Sequence, residues 1–313
     1  MTDIIVSICC ITYNHEKFIR DAIEGFLMQK TTFNFEILIN DDASTDNTQQ
    51  IIREYETKYP ELIFPIYHKE NQWSKGVKPN QAFNFPRARG KYIAMCEGDD
   101  YWTDTMKLQK QVEFMDENLE YSFCFTRFKT FDSTKNITEN DKNEHYFNNS
   151  SNGVEFDFEK FYKGWHLGTQ TIMLRKASIS YQNFNNEYYR DVFLITDLLN
   201  VGKGFCLKDF TAIYRIHQGG IHNSKNNFEK TQIAAKVYSE IYLNNKHNIY
   251  LLKKFIKFSN DYILNLLVQK KFKNVYIELN HRSQKFDQFK YKIWSLISLF
   301  KLLIIRMIRI SKK

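Results

Sequence analysis

Short apolar runs alternate with amphipathic helical stretches through the first part of this chain, and that alternation leaves few folds open. Residues 4–11 form a continuous apolar run suited to a strand buried on both faces. Phe18, Ala22, Ile23, Phe26 and Leu27 then recur at helical spacing, with Asn14 as the expected cap. Residues 35–40 read as a second strand, and Asp41, Asp42, Ala43, Ser44 and Thr45 as a loop into a helix that ends near Pro60. Further strands are expected at 63–68 and 92–96. Strands that alternate with helices build βαβ units, and these predict an α/β fold with a mainly parallel sheet flanked by helices. Ligands of such sheets bind beyond the carboxyl ends of the strands. Three loops converge there in this reading: Thr12-Tyr13-Asn14, Asp41-Asp42 and Asp99-Asp100.

The pattern continues with a helix from near Asp104 and a strand at 121–129, after which residues 132–152 turn polar and Asn-rich and predict a mobile surface loop. Strand-like segments at 169–175 and 205–217 flank a helical stretch at 191–201, and residues 228–270 read as helical throughout. With 313 residues the chain is long enough for one large α/β domain, placed at 1–225, and a helical C-terminal extension at 226–313.

Charge is unevenly spread. Residues 270–313 hold 12 Lys or Arg against 2 Asp or Glu, a net of +10, so with +8 overall the remainder sums to −2. Basicity confined to one end argues against a nucleic-acid cleft in the main domain. The segment 293–310 is apolar but interrupted by Lys301, Arg306 and Arg309, a poor transmembrane span. On a helical wheel Ser295, Ser298, Lys301, Arg306, Arg309 and Lys312 share one arc, the pattern of a helix lying on an anionic membrane surface. The same amphipathicity would serve a helix packed on its own domain or on a second subunit, a homodimer. Cys9, Cys10, Cys96, Cys124 and Cys206 lie in apolar segments without C-x-x-C spacing, so reduced thiols and a cytoplasmic location are expected. The absence of Lys or Arg before Lys17 agrees, since a secretory signal opens with positive charge.

The sequence Glu97-Gly98-Asp99-Asp100-Tyr101-Trp102 places two adjacent carboxylates just past an expected strand. Carboxylates so placed can hold Mg²⁺ or Mn²⁺, which take oxygen ligands and complete their shells with water and phosphate oxygens. A metal-bridged diphosphate is the matching partner. The plainer alternative is a solvated acidic turn.

Three ordered stretches resemble the family 2 glycosyltransferases, inverting enzymes of GT-A fold: the strand and loop through Thr12-Tyr13-Asn14, the strand and acidic loop through Asp41-Asp42-Ala43-Ser44, and Gly90 through Asp100. The resemblance covers roughly residues 4–225 and implies a metal-dependent hexosyl- or N-acetylhexosaminyltransferase. Tyr13 would stack on a pyrimidine base and Asp42 would accept the uracil N3–H, which makes a UDP-sugar the expected donor. Without that context Tyr13 reads as a core aromatic and Asp42 as a turn or cap residue. Thr12 and Asn14 complete the implied nucleotide loop, with Asp99 reaching the ribose or the metal and Asp100 binding the cation. The Gly-Asp-Asp form departs from a strict Asp-X-Asp and leaves open which Asp binds directly.

The resemblance places the catalytic base at Asp191, with Asp197 and Asp209 as rivals, and puts His217, in Tyr214-Arg215-Ile216-His217, over the diphosphate or on the metal. It further implies a lipid-linked glycan acceptor, of the kind used for capsule or lipopolysaccharide, at the inner face of the cytoplasmic membrane. Two other functions share features of this pattern. A nucleotide-sugar-binding protein would not need Asp191, and a nucleotidyltransferase would want a Gly-rich basic loop where residues 1–30 hold only Gly25. A dehydrogenase lacks its G-x-G-x-x-G after the first strand.

Overall fold

A computed structural model of the chain describes residues 3–147, 152–165, 167–181, 190–218, 226–285, 292, 295–300 and 303. Two compact units divide it, Met1–Gln218 and Gly219–Lys313. The sequence pattern places this division after residue 225, and residues 219–225 lie outside the described ones.

The first unit opens with β1 (Ile4–Thr12), α1 (Ile19–Leu27), β2 (Asn34–Asp41), α2 (Thr48–Lys58) and β3 (Ile63–Tyr67). A π-turn at Asn80–Asn84 leads into α3 (Phe85–Arg87), and β4 (Tyr92–Glu97), β5 (Tyr101–Trp102) and α4 (Lys107–Glu117) follow. Next come β6 (Tyr121–Asp132), β7 (Ile137–Asn140), β8 (Gly153–Phe156), α5 (Phe158–Lys163), β9 (Met173–Arg175), α6 (Asp191–Val201) and β10 (Lys203–Ile216). The strands join in one sheet of order β3-β2-β1-β4-β9-β6-β10-β5, with β7 on β6 and β8 on β10. Strands β3, β2, β1 and β4 run parallel, whereas β9 pairs antiparallel with both β4 and β6. The sheet is therefore mixed, its parallel half coming from the βαβ units at the start of the chain.

Register is what positions the site. Thr12 at the end of β1 pairs with Asp41 at the end of β2, and Ile11 pairs with Glu97 at the end of β4. Three strands thus stop in one row. Below that row Val6, Ile8, Cys10, Ile37, Ile39 and Ala94 pack against Ile19, Ala22, Ile23 and Phe26 of α1 in one apolar core. Gly25 lets α1 settle on β5, because a Cβ there would lie 3.0 Å from the backbone nitrogen of Trp102. All five cysteines are buried and free.

Two expectations need correction. Residues 132–152 are not a simple loop, because β6 runs on to Asp132 and turns back as β7, with all four β7 residues exposed. Both faces of β7 meet water, so its composition carries no apolar alternation. Beyond the turn Asp141 is buried and receives both Nε (3.0 Å) and Nη2 (3.1 Å) of Arg127. The second correction concerns 228–270, which splits into α7 (Asn227–Asn244) and α8 (Ile249–Val268) and is followed by α9 (Phe272–Gln284). Asn248 makes the break by accepting from the backbone N–H groups of Tyr250 (3.0 Å) and Leu251 (3.2 Å), the work of an N-cap. Among the described residues no helix is long and apolar enough to cross a membrane.

Lys107 is fully buried at the start of α4, 4.2 Å above the Trp102 ring, with Nζ donating to Gln111 Oε1 at 2.5 Å. Burial pushes its pKa down to about 8. An unfolded lysine holds its proton to a higher pH, so between about 8 and the ordinary value near 10.4 unfolding takes up a proton and stability rises with pH. Relative to Lys107→Met, the wild type should therefore gain up to about 3 kcal/mol between pH 7 and pH 10. Urea melts of both proteins at the two pH values check this. Parallel pH profiles would show that Lys107 folds at its ordinary pKa.

Candidate active site

The row of strand ends carries the loops that build the site. The backbone N–H of Asp42 donates to the Thr12 carbonyl at 2.9 Å, and that of Gly98 donates to the Ile11 carbonyl at 2.9 Å. Both loops are therefore tied to β1. Thr12 is buried beneath the acidic loop, where a Cβ on Gly98 would lie 2.7 Å from its Oγ1, so only glycine lets the two segments approach this closely. Tyr13 is 44% exposed, which leaves a ring face open to a ligand.

Asn14 does not cap α1. It sits at a φ of 55°, a left-handed position that asparagine tolerates, while α1 begins at Ile19 without a side-chain cap. Its Oδ1 accepts from the backbone N–H of Thr45 at 2.8 Å and its own N–H donates to Ser44 Oγ at 2.9 Å. Asn14 thus staples the nucleotide loop to the acidic loop after β2. Asp42 is buried, and its two carboxylate oxygens accept the backbone N–H groups of Gln72 (2.6 Å) and Trp73 (3.0 Å). The segment 71–75 is thereby drawn over the strand ends, with one lone pair on each oxygen still available to a donor.

Glu97, Asp99 and Asp100 bring one carboxylate oxygen each within 4.8 Å of one another. Asp99 Oδ2 lies 3.1 Å from Nε2 of His217 and 3.7 Å from Nε2 of His15, while its Oδ1 is buried without a partner. Asp100 is 1% exposed; its Oδ1 accepts the Arg215 backbone N–H at 2.8 Å and its Oδ2 is buried without a partner. Two orphaned carboxylate oxygens in one cluster are the donor set a hard divalent cation requires. Burial opposes ionisation of Asp99, but the His217 hydrogen bond and the neighbouring His15 outweigh it and hold its pKa below the usual range. Burial raises the pKa of Asp100 well above that range, reinforced by the charge of Asp99. Glu97 is raised likewise by burial, then by Asp99, Asp191 and Asp100.

That electrostatic link places Asp191 in the same field as the acidic cluster. It stands exposed in the first turn of α6, where the helix dipole favours a carboxylate. Asp197 is buried nearly two turns further along, and Asp209 is held at 2.6 Å by Lys110. The Arg215 guanidinium closes the floor, with Nη1 donating to the Asp99 carbonyl at 2.9 Å and Nη2 to Asp21 Oδ2 at 2.7 Å. His15, Arg215 and the role of Glu97 escaped the sequence reading, although each lies within two residues of an assigned position.

A model of glycosyl transferase family 2 matches residues 7–181. TuaG of Bacillus subtilis, a putative teichuronic acid biosynthesis glycosyltransferase, is 30% identical over 239 residues, 76% of this chain and 88% of that protein. WfaP of Escherichia coli, a UDP-Glc:alpha-D-GlcNAc-diphosphoundecaprenol beta-1,3-glucosyltransferase, is 27% identical over 254 residues, 79% of this chain and 91% of that one. An uncharacterized Mycobacterium tuberculosis protein is 49% identical over 120 residues, 38% of this chain, which spans only 34% of that relative's length. The crystal structure of S. aureus TarS 1–349 in complex with UDP-GlcNAc superposes with a TM-score of 0.58 at 17% identity, covering 95% of this chain and 90% of that one. This likeness shows a shared fold, that of a GT-A glycosyltransferase.

Proposed function

Because the chain belongs to glycosyl transferase family 2, we propose that it moves a hexosyl or N-acetylhexosaminyl group from a UDP donor to a lipid-linked glycan acceptor, with inversion. Residues 1–225 are the transferring domain and 226–313 its extension. The observation that carries this reading is the pair of orphaned oxygens on Asp99 and Asp100, beside Glu97 and at the end of the same strand row as Asp42. Relatives that use UDP-Glc and a diphosphoundecaprenol-linked sugar support the choice of donor and acceptor class.

Tyr13 offers its open face to the uracil, and Asp42 accepts the N3–H with an oxygen already oriented by Gln72 and Trp73. Thr12 and Asn14 hold that loop in shape. Asp100 and Asp99, with Glu97 and His217 beside them, are the residues that would hold Mn²⁺ or Mg²⁺. When bound, the cation acts as a Lewis acid toward the leaving diphosphate. Asp191 takes the proton from the acceptor hydroxyl as that oxygen attacks the anomeric carbon from the face opposite UDP. Hydrolysis of a UDP-sugar panel, with and without EDTA, tests the reading, and NMR of the first product anomer tests inversion. Metal-independent turnover, or none with any UDP-sugar, would overturn it.

The extension would hold the enzyme at the inner face of the cytoplasmic membrane. Of the amphipathic segment 293–310, only residues 295–300 and 303 lie among the described ones. Their serines face inward, contrary to the simple wheel: Ser295 is buried and Ser298 Oγ accepts from Asn260 Nδ2 at 3.1 Å. Leu299 and Leu303 join the apolar core of that unit, while Leu296, Ile297 and Phe300 are exposed. Both uses of the helix are thus open to it. Changing Leu296, Ile297 and Phe300 to Ser leaves the inward side intact and should abolish co-flotation with anionic liposomes, whose attraction for basic residues is roughly 1 kcal/mol each. Unaltered flotation, or loss of dimer mass without any flotation, would reassign the exposed side.

A further inference from the structure

Lys78 precedes the π-turn and is only 6% exposed, yet among the described residues its ammonium makes no hydrogen bond or ion pair. Its one neighbour of note is the Trp73 ring, with Nζ 4.4 Å from the centroid. The stem of Lys78 is packed away while its ammonium lies over the indole face, an attraction that compensates only part of what the charge loses on leaving water. Arg190 approaches the same ring, its guanidinium 5.5 Å from the centroid. Burial lowers the pKa of Lys78, and the charge of Arg190 lowers it further. Lys78 and Arg190 thus bring two cationic groups to one indole, a geometry that suits an anion.

The position of this pair says which anion. Trp73 is bound through its backbone N–H to Asp42, so the cluster adjoins the nucleotide loop on one side. On the other side Arg190 immediately precedes Asp191 and occupies the N-cap position of α6, whose first backbone N–H groups add donors of their own. The donor diphosphate has its counter-charge at the acidic cluster, through the cation that cluster would hold. Lys78 and Arg190 belong to different elements from that cluster and are contiguous with the group that receives the acceptor.

We propose that Lys78 and Arg190, converging on Trp73, seat a phosphate of the acceptor itself, one sugar away from the hydroxyl that Asp191 deprotonates. The inference rests on the reading of Asp191 as base and of the acceptor as lipid-linked. It adds that the acceptor is a short glycosyl diphosphate, with the phosphate close to the reacting sugar, and not the far end of a long glycan. A Lys point charge and an Arg fork are the usual pair for such a group.

The test is calorimetric titration, in the presence of UDP and Mn²⁺, with N-acetylglucosaminyl diphosphate carrying a short alkyl tail and with the corresponding alkyl glycoside that lacks the diphosphate. Wild-type protein should prefer the diphosphate at least tenfold. Lys78→Gln and, independently, Arg190→Gln should each remove most of that preference, and Lys78→Arg should restore it; thermal melts of each variant confirm folding. A fall in UDP affinity with the acceptor preference kept would place the seat on the donor and overturn the proposal. So would equal affinity of the wild type for both acceptor analogues; continued metal-dependent hydrolysis of a UDP-sugar would then show that the glycosyltransferase reading survives. Loss of that hydrolysis as well would remove the reading on which the proposal stands.

Discussion

Asp100→Asn should lower UDP-sugar turnover by about two orders of magnitude or more, roughly 2.7 kcal/mol of transition-state stabilisation, while the protein stays folded. The amide oxygen of asparagine can still accept the Arg215 backbone N–H that Asp100 Oδ1 accepts now at 2.8 Å. What disappears is the anionic oxygen on the other side, buried and without a partner in the native protein. Asp99→Asn should be nearly as damaging, because Asp99 supplies the second such oxygen while its Oδ2 is engaged by His217. Initial rates at saturating Mn²⁺, with a thermal melt of each variant, check both. Retention of more than about a tenth of the wild-type rate by folded Asp100→Asn, a loss under ~1.4 kcal/mol, would remove the metal assignment.

Asp191→Asn should separate binding from chemistry. The residue is exposed at the start of α6, on a helix whose remaining residues are mostly buried, so the amide leaves packing untouched. Donor affinity measured by titration with UDP should stay within about threefold, and transfer should drop about 10²- to 10⁴-fold, the range for loss of a general base. Equal losses of affinity and rate would mean that Asp191 serves the helix terminus instead. An unchanged rate would move the base elsewhere. Asp197, buried within α6, and Asp209, paired with Lys110, are then the residues to change next.

The parallel half of the sheet was legible from local pattern. Residues 4–11, 35–40 and 92–96 form strands whose residues are mostly buried on both faces, and the helix at Asp191–Val201 and its first-turn carboxylate were equally legible. Period and apolarity are local properties, so a single strand or helix declares itself without its neighbours. The sequence also placed Asp42, Asp99 and Asp100 just past strand ends, and in a parallel sheet that position is shared by construction.

How those residues are used depends on contacts between segments far apart in the chain. Asn14 carries the composition of a cap, yet its partners Ser44 and Thr45 lie in another loop, and that pairing, not helix chemistry, sets its left-handed backbone. Asp42 orients a segment some thirty residues on. His15 and His217 meet at Asp99 from opposite ends of the first unit, and Lys78 and Arg190 meet at Trp73. Ser298 turns inward to meet Asn260 on another helix, and Ser295 is buried with it. None of these contacts has a period or a fixed spacing, because a charge or hydrogen bond is satisfied by whatever the folded chain brings within about 3 Å, however distant in sequence.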